Sequence, residues 1–285
     1  MSAQYGTLYL CATPIGNLGD MTFRAVETLK NVSLIAAEDT RHTRKLMSHF
    51  DIHVSLTSYH EHNKRSKGPV LVAKLLEGQN IALVSDAGLP GISDPGSDLV
   101  RLALDAGITV TPIPGASAAL TALVASGLPT GGFLFAGFLP KENAARKARL
   151  RQLQACPETM VFYESPHQIL KTLGDFQTAL GDRQAVIGRE LTKIHEEFIR
   201  GPLSELSGHF RKNRPRGEFT LLVAGNSGET ATPETMAPEM SDDAVRQEVE
   251  RKVASGTNKK DAIKLTASQW GLSRRRVYQL MLDSD

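Results

Sequence analysis

Asp86-Ala87-Gly88-Leu89-Pro90-Gly91-Ile92-Ser93-Asp94-Pro95-Gly96 decides how this chain is read. Before it, Ile81-Ala82-Leu83-Val84 is an unbroken apolar run, the pattern of a parallel strand buried on both faces. After it, residues 97–104 have the apolar spacing of a helix packed on a sheet. A strand end, a stiff Gly/Pro loop and a helix start mark the carboxyl edge of an open α/β sheet, where ligands bind. Gly88, Gly91 and Gly96 permit positive φ or close backbone approach, while Pro90 and Pro95 fix the loop's shape. A loop this long and this rigid exceeds the needs of a connector.

Working outward, Thr7-Leu8-Tyr9-Leu10-Cys11-Ala12 reads as a first strand, broken by Thr13-Pro14-Ile15-Gly16-Asn17-Leu18-Gly19-Asp20. A helix over 23–30 follows, with Thr22 as its N-cap. The opening has the rhythm of a dinucleotide-binding fold but lacks G-x-G-x-x-G, so that reading is set aside. Leu34-Ile35-Ala36-Ala37 is a second buried strand ending in Glu38-Asp39-Thr40-Arg41. Two acids at a strand's carboxyl end serve as helix caps or as active-site groups; beside the other loops they are site candidates. Tyr59-His60-Glu61-His62-Asn63-Lys64-Arg65 carries metal-ligand letters, but no predicted helix or third cluster completes a site. No metal is expected. A helix over 69–77 leads into the central strand. Thr109–Ile113 is the next strand, and Pro114-Gly115-Ala116-Ser117-Ala118 opens an Ala/Leu-rich helix to Ser126, closed by Gly127.

Near Gly131-Gly132 the alternation restarts. Strands are expected at 133–137, 159–163, 184–188 and 218–224. Glu164-Ser165-Pro166-His167 reads as a helix start with Ser165 capping and Pro166 in the first helical position. Arg146, Lys147, Arg149 and Arg151 lie on one helix, as a solvated face or as an RNA contact. Residues 227–240, rich in Ser, Thr, Pro and Glu, read as a linker. Helical patterns then cover 242–254, 259–269 and 273–282, the grammar of a helix-turn-helix or of a small protein-binding bundle.

The 33 basic and 31 acidic residues among 285 exclude a simple polybasic binder, so a nucleic-acid surface has to be local. Cys11 and Cys156, the only cysteines, fit a reducing cytoplasm and offer no metal cluster. The first residues lack a basic n-region and Pro14 breaks the apolar run behind them; neither a signal peptide nor a spanning helix is expected.

Residues 10–20, Ala37-Glu38-Asp39-Thr40-Arg41, Ser85-Asp86-Ala87-Gly88-Leu89-Pro90 and Pro114-Gly115-Ala116-Ser117-Ala118 together resemble the tetrapyrrole methylase superfamily. Within it they resemble the members that methylate a cytidine ribose 2′-oxygen in small-subunit (16S) ribosomal RNA. The resemblance implies an α/β fold of two α/β domains, 1–116 and 117–226, with a cofactor cleft between them. A C-terminal helical module, 241–285, and a homodimer are also implied. S-adenosyl-L-methionine is the implied cofactor, held at Pro14, Asp86, Ala87, Gly88, Pro90, Ser117, Ala118, Tyr163 and Leu191. It has no phosphate, so the missing glycine fingerprint is no obstacle. For the chemistry, Glu38, Asp39 and Lys193 are the candidate catalytic groups; Lys193 would act as a base only if neutral. Arg41, Arg274, Arg275 and Arg276 are the candidate RNA contacts. Two alternatives stand beside this one: a tetrapyrrole or protein acceptor on the same fold, and a ligand-sensing DNA-binding regulator.

Overall fold

The computed structural model describes residues 5–226, 242–269 and 274–282, in two compact units split at residue 226. The first unit begins with β1 (Thr7–Cys11), α1 (Phe23–Asn31), β2 (Leu34–Ala37), α2 (Thr40–His49), β3 (Leu56–Ser58) and α3 (Lys64–Leu76). It continues with β4 (Ile81–Val84), α4 (Gly96–Asp105) and β5 (Thr109–Ile113). These five strands form one all-parallel sheet in the order β3-β2-β4-β1-β5. The apolar run of β4 is explained by burial on both faces. Ile81 and Leu83 join the core beneath α3 and α4, while Ala82 and Val84 join the core beneath α1 and α2. The chain leaves β1 toward β2 and leaves β4 toward β5, in opposite directions along the sheet, which opens a crevice at the carboxyl ends of these neighbours.

Next come α5 (Ala118–Ser126), β6 (Phe133–Gly137), α6 (Asn143–Leu153), β7 (Thr159–Glu164), α7 (Ile169–Leu180) and β8 (Gln184–Arg189). β9 (Glu197–Pro202), α8 (Leu203–Lys212) and β10 (Phe219–Val223) complete the unit. The second sheet runs β6-β7-β10-β8-β9 and is parallel only between β6 and β7. One face packs on α6, α7 and α8 around Phe162, Phe176 and Phe210; the other packs on α5 through Val161, Val186 and Leu222. Ile15, from the loop after β1, enters that second core, so the two sheets share packing.

Three expectations change. Helix α3 starts at Lys64, with Pro69 inside it, because Lys64 N–H already reaches His60 O and turns the chain early. Helix α7 starts at Ile169: Ser165 O accepts from Gln168 and Ile169, so Pro166 lies in a preceding turn. Arg146 is neither a solvated cation nor an RNA contact. It is 5% exposed, and its Nε donates to Asp175 (2.6 Å) and its Nη2 to Thr172 (2.7 Å). A buried guanidinium needs such partners, and removing one typically costs about 3–5 kcal/mol.

In the second unit, α9 (Asp242–Ala254), α10 (Lys259–Gln269) and α11 (Arg274–Leu280) pack through Val245, Val249, Ala262, Ile263, Val277 and Met281. The linker expected over 227–240 lies outside the described residues. Among the described residues no helix is long and apolar enough to cross a membrane.

Candidate functional site

The loop after β4 is braced from within. Thr13 N–H donates to Gly88 O (2.9 Å) and Gly88 N–H to Thr13 O (3.0 Å), an isolated bridge joining the loops after β1 and β4. Thr13 Oγ1 donates to Ser85 O, and Ser85 Oγ to Ala87 O. Asp94 Oδ1 takes the N–H groups of Gly91 (2.8 Å) and Gly96 (2.7 Å), closing the rest of the loop. Gly88 sits at φ +79°, and a Cβ there would meet nothing nearer than 3.5 Å, so glycine is required for conformation rather than space. Its amide and carbonyl are committed to Thr13 and are not free for a ligand. The loop after β2 is tied in where Asp39 N–H donates to Asp86 Oδ1 (2.9 Å).

From the second sheet, residues 190–196 press on the loop after β1. Glu190 (φ +50°) and Thr192 (φ +66°) are left-handed without being glycine, a local strain that the surrounding bonds sustain. Thr192 Oγ1 accepts Asn17 N–H (3.1 Å), and a Cβ on Gly16 would fall 2.5 Å from Lys193 Cγ.

Between these loops lie two adjoining cavities. The first, about 370 Å³, has Glu38, Asp86, Asp94, Glu164 and Glu218 in its wall and no Lys, Arg or His. Gly88, Ser117, Ala118, Tyr163 and Leu191 line it with Ala87. Tyr163 lies against Phe138, ring centroids 5.7 Å apart, and Ser117 caps α5. The second cavity, about 500 Å³, shares Ile15, Ser85, Asp86, Ala87 and Glu218 with the first; Pro14, His42, Lys45 and Lys193 are in its own wall.

The acids differ. Burial pushes the Glu38 carboxyl above the usual range, and the charges of Asp86 and Asp94 push the same way, against one hydrogen bond from Asp86 N–H. Burial also raises Asp94, against its loop hydrogen bonds. Asp39 goes the other way: the Arg41 side-chain bonds (Nη2 to Oδ2, 2.7 Å) hold it well below the usual range. Asp39 accepts Arg41 N–H as the cap of α2 and lines neither cavity. Of the Glu38-Asp39 pair, only Glu38 faces the site. Burial disfavours the Lys193 charge, but Glu190 (2.9 Å) and Glu218 (3.0 Å) outweigh it and raise its pKa. A lysine so paired stays protonated, which removes it as a base.

Pro90 lines neither cavity; it shapes the loop from outside. Arg41 is also outside both, its side chain 86% exposed. Arg274 and Arg276 are exposed on α11, with Arg276 3.6 Å from Asp242, and the Arg275 side chain lies outside the described residues. Sequence reasoning missed Glu218, which lines both cavities, and Phe138, His42 and Lys45. Glu218 reads in sequence as the flank of a strand; only the antiparallel placement of β10 brings it to the cleft.

The sequence profile described as Tetrapyrrole (Corrin/Porphyrin) Methylases matches residues 7–207. The chain is 52% identical over 275 residues to the Ribosomal RNA small subunit methyltransferase I of Halalkalibacterium halodurans, covering 96% of this chain and 94% of that one. It is 51% identical over 279 residues to the protein of the same name from Synechocystis, covering 98% of each. Among solved structures, uroporphyrin-III C-methyltransferase from Thermus thermophilus, complexed with S-adenyl homocysteine, superposes with a TM-score of 0.54 at 18% identity. That pair covers 78% of this chain and 99% of the other, a likeness of fold. With the profile spanning the first sheet and four of the five strands of the second, and the relatives spanning nearly the whole length, the chain belongs to the tetrapyrrole methylase family.

Proposed function

We propose that this protein transfers a methyl group from S-adenosyl-L-methionine to the ribose 2′-oxygen of a cytidine in 16S ribosomal RNA. The observation that carries this reading is the contrast between the two adjoining cavities, one walled by five carboxylates without a cation, the other adding His42, Lys45 and Lys193 to the shared Asp86 and Glu218. The names and identities of the relatives support a small-subunit RNA acceptor.

The first cavity suits a ligand that is cationic and lacks phosphate. Its volume lies in the range of small-ligand sites. Bound there, S-adenosylmethionine supplies an activated methyl group on a sulfonium sulfur. Asp86, Ala87, Gly88, Ser117, Ala118 and Leu191 shape the cavity, and the faces of Tyr163 and Phe138 favour positive charge. Pro14 and Pro90 hold the flanking loops in shape. Glu38 is the base: its raised pKa matches it better to a hydroxyl proton than an ordinary carboxylate. Lys193 orients RNA as a fixed cation, and Arg41, Arg274, Arg275 and Arg276 add charge for the RNA backbone. The protein works as a cytoplasmic homodimer; Phe23 and Ile194, 97% and 98% exposed, are apolar side chains that a partner copy would cover.

Tritiated methyl transfer to purified small ribosomal subunits, followed by nucleoside analysis, tests the reading. Label in 2′-O-methylcytidine supports it. Label on a base, or on a porphyrinoid and not on RNA, overturns it.

A further inference from the structure

Helix α2 carries Arg41, His42, Arg44, Lys45 and His49 and no acidic residue, on a chain whose net charge is only +2. Its buried Thr43, Leu46 and Met47 seat it on the first sheet and leave the basic residues outward. His42 and Lys45, three apart and therefore neighbours on one face, are the two that line the second cavity. Arg44 is turned about 100° from Lys45 around the helix and lines neither cavity. The other nearby cations are engaged: Arg41 with Asp39, Lys193 with Glu190 and Glu218.

We propose that His42 and Lys45 hold the backbone phosphate next to the reacting ribose, so that the second cavity is the acceptor's phosphate seat. This rests on the RNA reading above and adds residues to it. In a ribonucleotide the 2′-oxygen and the 3′-phosphate are borne by adjacent ribose carbons. A 2′-oxygen placed at the shared wall, beside Asp86 and within reach of the first cavity, therefore carries an anion a few ångströms away. The basic wall of the second cavity lies on that side. The carboxylates Glu38, Asp94 and Glu164, in the wall of the first cavity but not of the second, repel phosphate from the first and attract a sulfonium toward it. The two ligands are thus sorted by charge before either makes a specific contact. An ammonium on a long stem and an imidazole N–H suit this task, since both donate to phosphate oxygens.

The test compares Lys45→Ala, His42→Ala and Arg44→Ala in the full-length protein. Affinity for purified small ribosomal subunits is measured across a salt series, with methyl-transfer kinetics and calorimetric S-adenosylmethionine binding alongside. One phosphate contact on single-stranded RNA contributes about 0.7 to the salt slope, so Lys45→Ala should lower affinity roughly fivefold at 0.1 M salt and flatten the slope by about 0.7. The loss should fall on KM with kcat little changed, as for an interaction held throughout the reaction. His42→Ala should raise KM as well, with a smaller change of slope. Arg44→Ala removes the same charge from the same helix and should stay within about twofold of wild type. All three should bind S-adenosylmethionine as wild type does. If Lys45→Ala and Arg44→Ala weaken RNA binding equally, the helix acts only as a diffuse charge and the phosphate seat is overturned. An unchanged Lys45→Ala variant, in a protein that does methylate RNA, overturns the seat and leaves the RNA reading standing. A wild-type protein that binds S-adenosylmethionine but neither binds nor methylates the subunits overturns both.

Discussion

The two cavities share a wall of five residues and differ in nearly everything else. The first is walled by carboxylates, and burial together with mutual repulsion lifts the pKa values of Glu38 and Asp94. The second carries Lys193 pinned between two glutamates and the basic side of α2. Carboxylates gathered in one confined wall disfavour one another's ionisation, whereas in the second cavity the Lys193 ammonium is held charged by its paired glutamates. The difference teaches that one cleft can carry two walls of opposite charge bias. The parallel sheet supplies Glu38, Asp86 and Asp94 from the loops at its carboxyl edge and the second sheet supplies Glu164 and Glu218, while α2 and the loop after β8 supply the basic side chains.

Glu38→Gln should break the comparison most severely. It leaves the cavity's shape nearly intact while removing the acid whose pKa is raised, and methyl transfer should fall about 100-fold or more if Glu38 is the base. The pH profile decides the matter. Because the pKa lies above the usual carboxylate range, the active ionised form is lost as pH falls through that raised value, and wild-type rates should drop there. In the variant that acidic limb should vanish; a variant with the wild-type limb would assign the proton to another group.

Gly88→Val should have the next largest effect. The left-handed backbone at this position costs a β-branched residue about 1–3 kcal/mol, and the bridge to Thr13 is the contact first loosened. Affinity for S-adenosylmethionine should fall about tenfold or more, with a lower melting temperature. A folded variant that binds normally in calorimetry would detach this loop from the cofactor.

Removing residues 241–285 should matter least to the cavities. Cofactor affinity should stay unchanged, since none of the cavity residues lies in the second unit. Substrate affinity should weaken severalfold with a flatter salt slope, because Lys259, Lys260, Lys264 and the run Arg274-Arg275-Arg276 leave with the segment. Equal affinity and equal slope in both proteins would confine RNA binding to the first unit.

The central elements were legible because their causes are local. Strand β4 announces itself by apolar letters at every position, and α5 by Ser117 before it and Gly127 after it. The strands that escaped, β3 and β9, each lie at one edge of their sheet, partly exposed and without a continuous apolar run. The loops Asp86–Pro90 and Glu38-Asp39 were recognisable as site candidates, yet sequence could not tell that Asp39 bonds Arg41 while Glu38 lines the first cavity. Glu218 and Lys45 were invisible for a different reason. Each is an ordinary surface letter until β10 and α2 are brought to the cleft from elsewhere in the chain.

Leu191 and Lys193 flank Thr192, the residue whose hydroxyl takes the Asn17 amide, and each lines a different cavity. Parting the sheets along this line breaks that hydrogen bond and displaces a wall of both cavities in the same event. If the first cavity holds the cofactor and the second the acceptor, one such opening would release both, and slow opening would hold back methylated RNA and spent cofactor together.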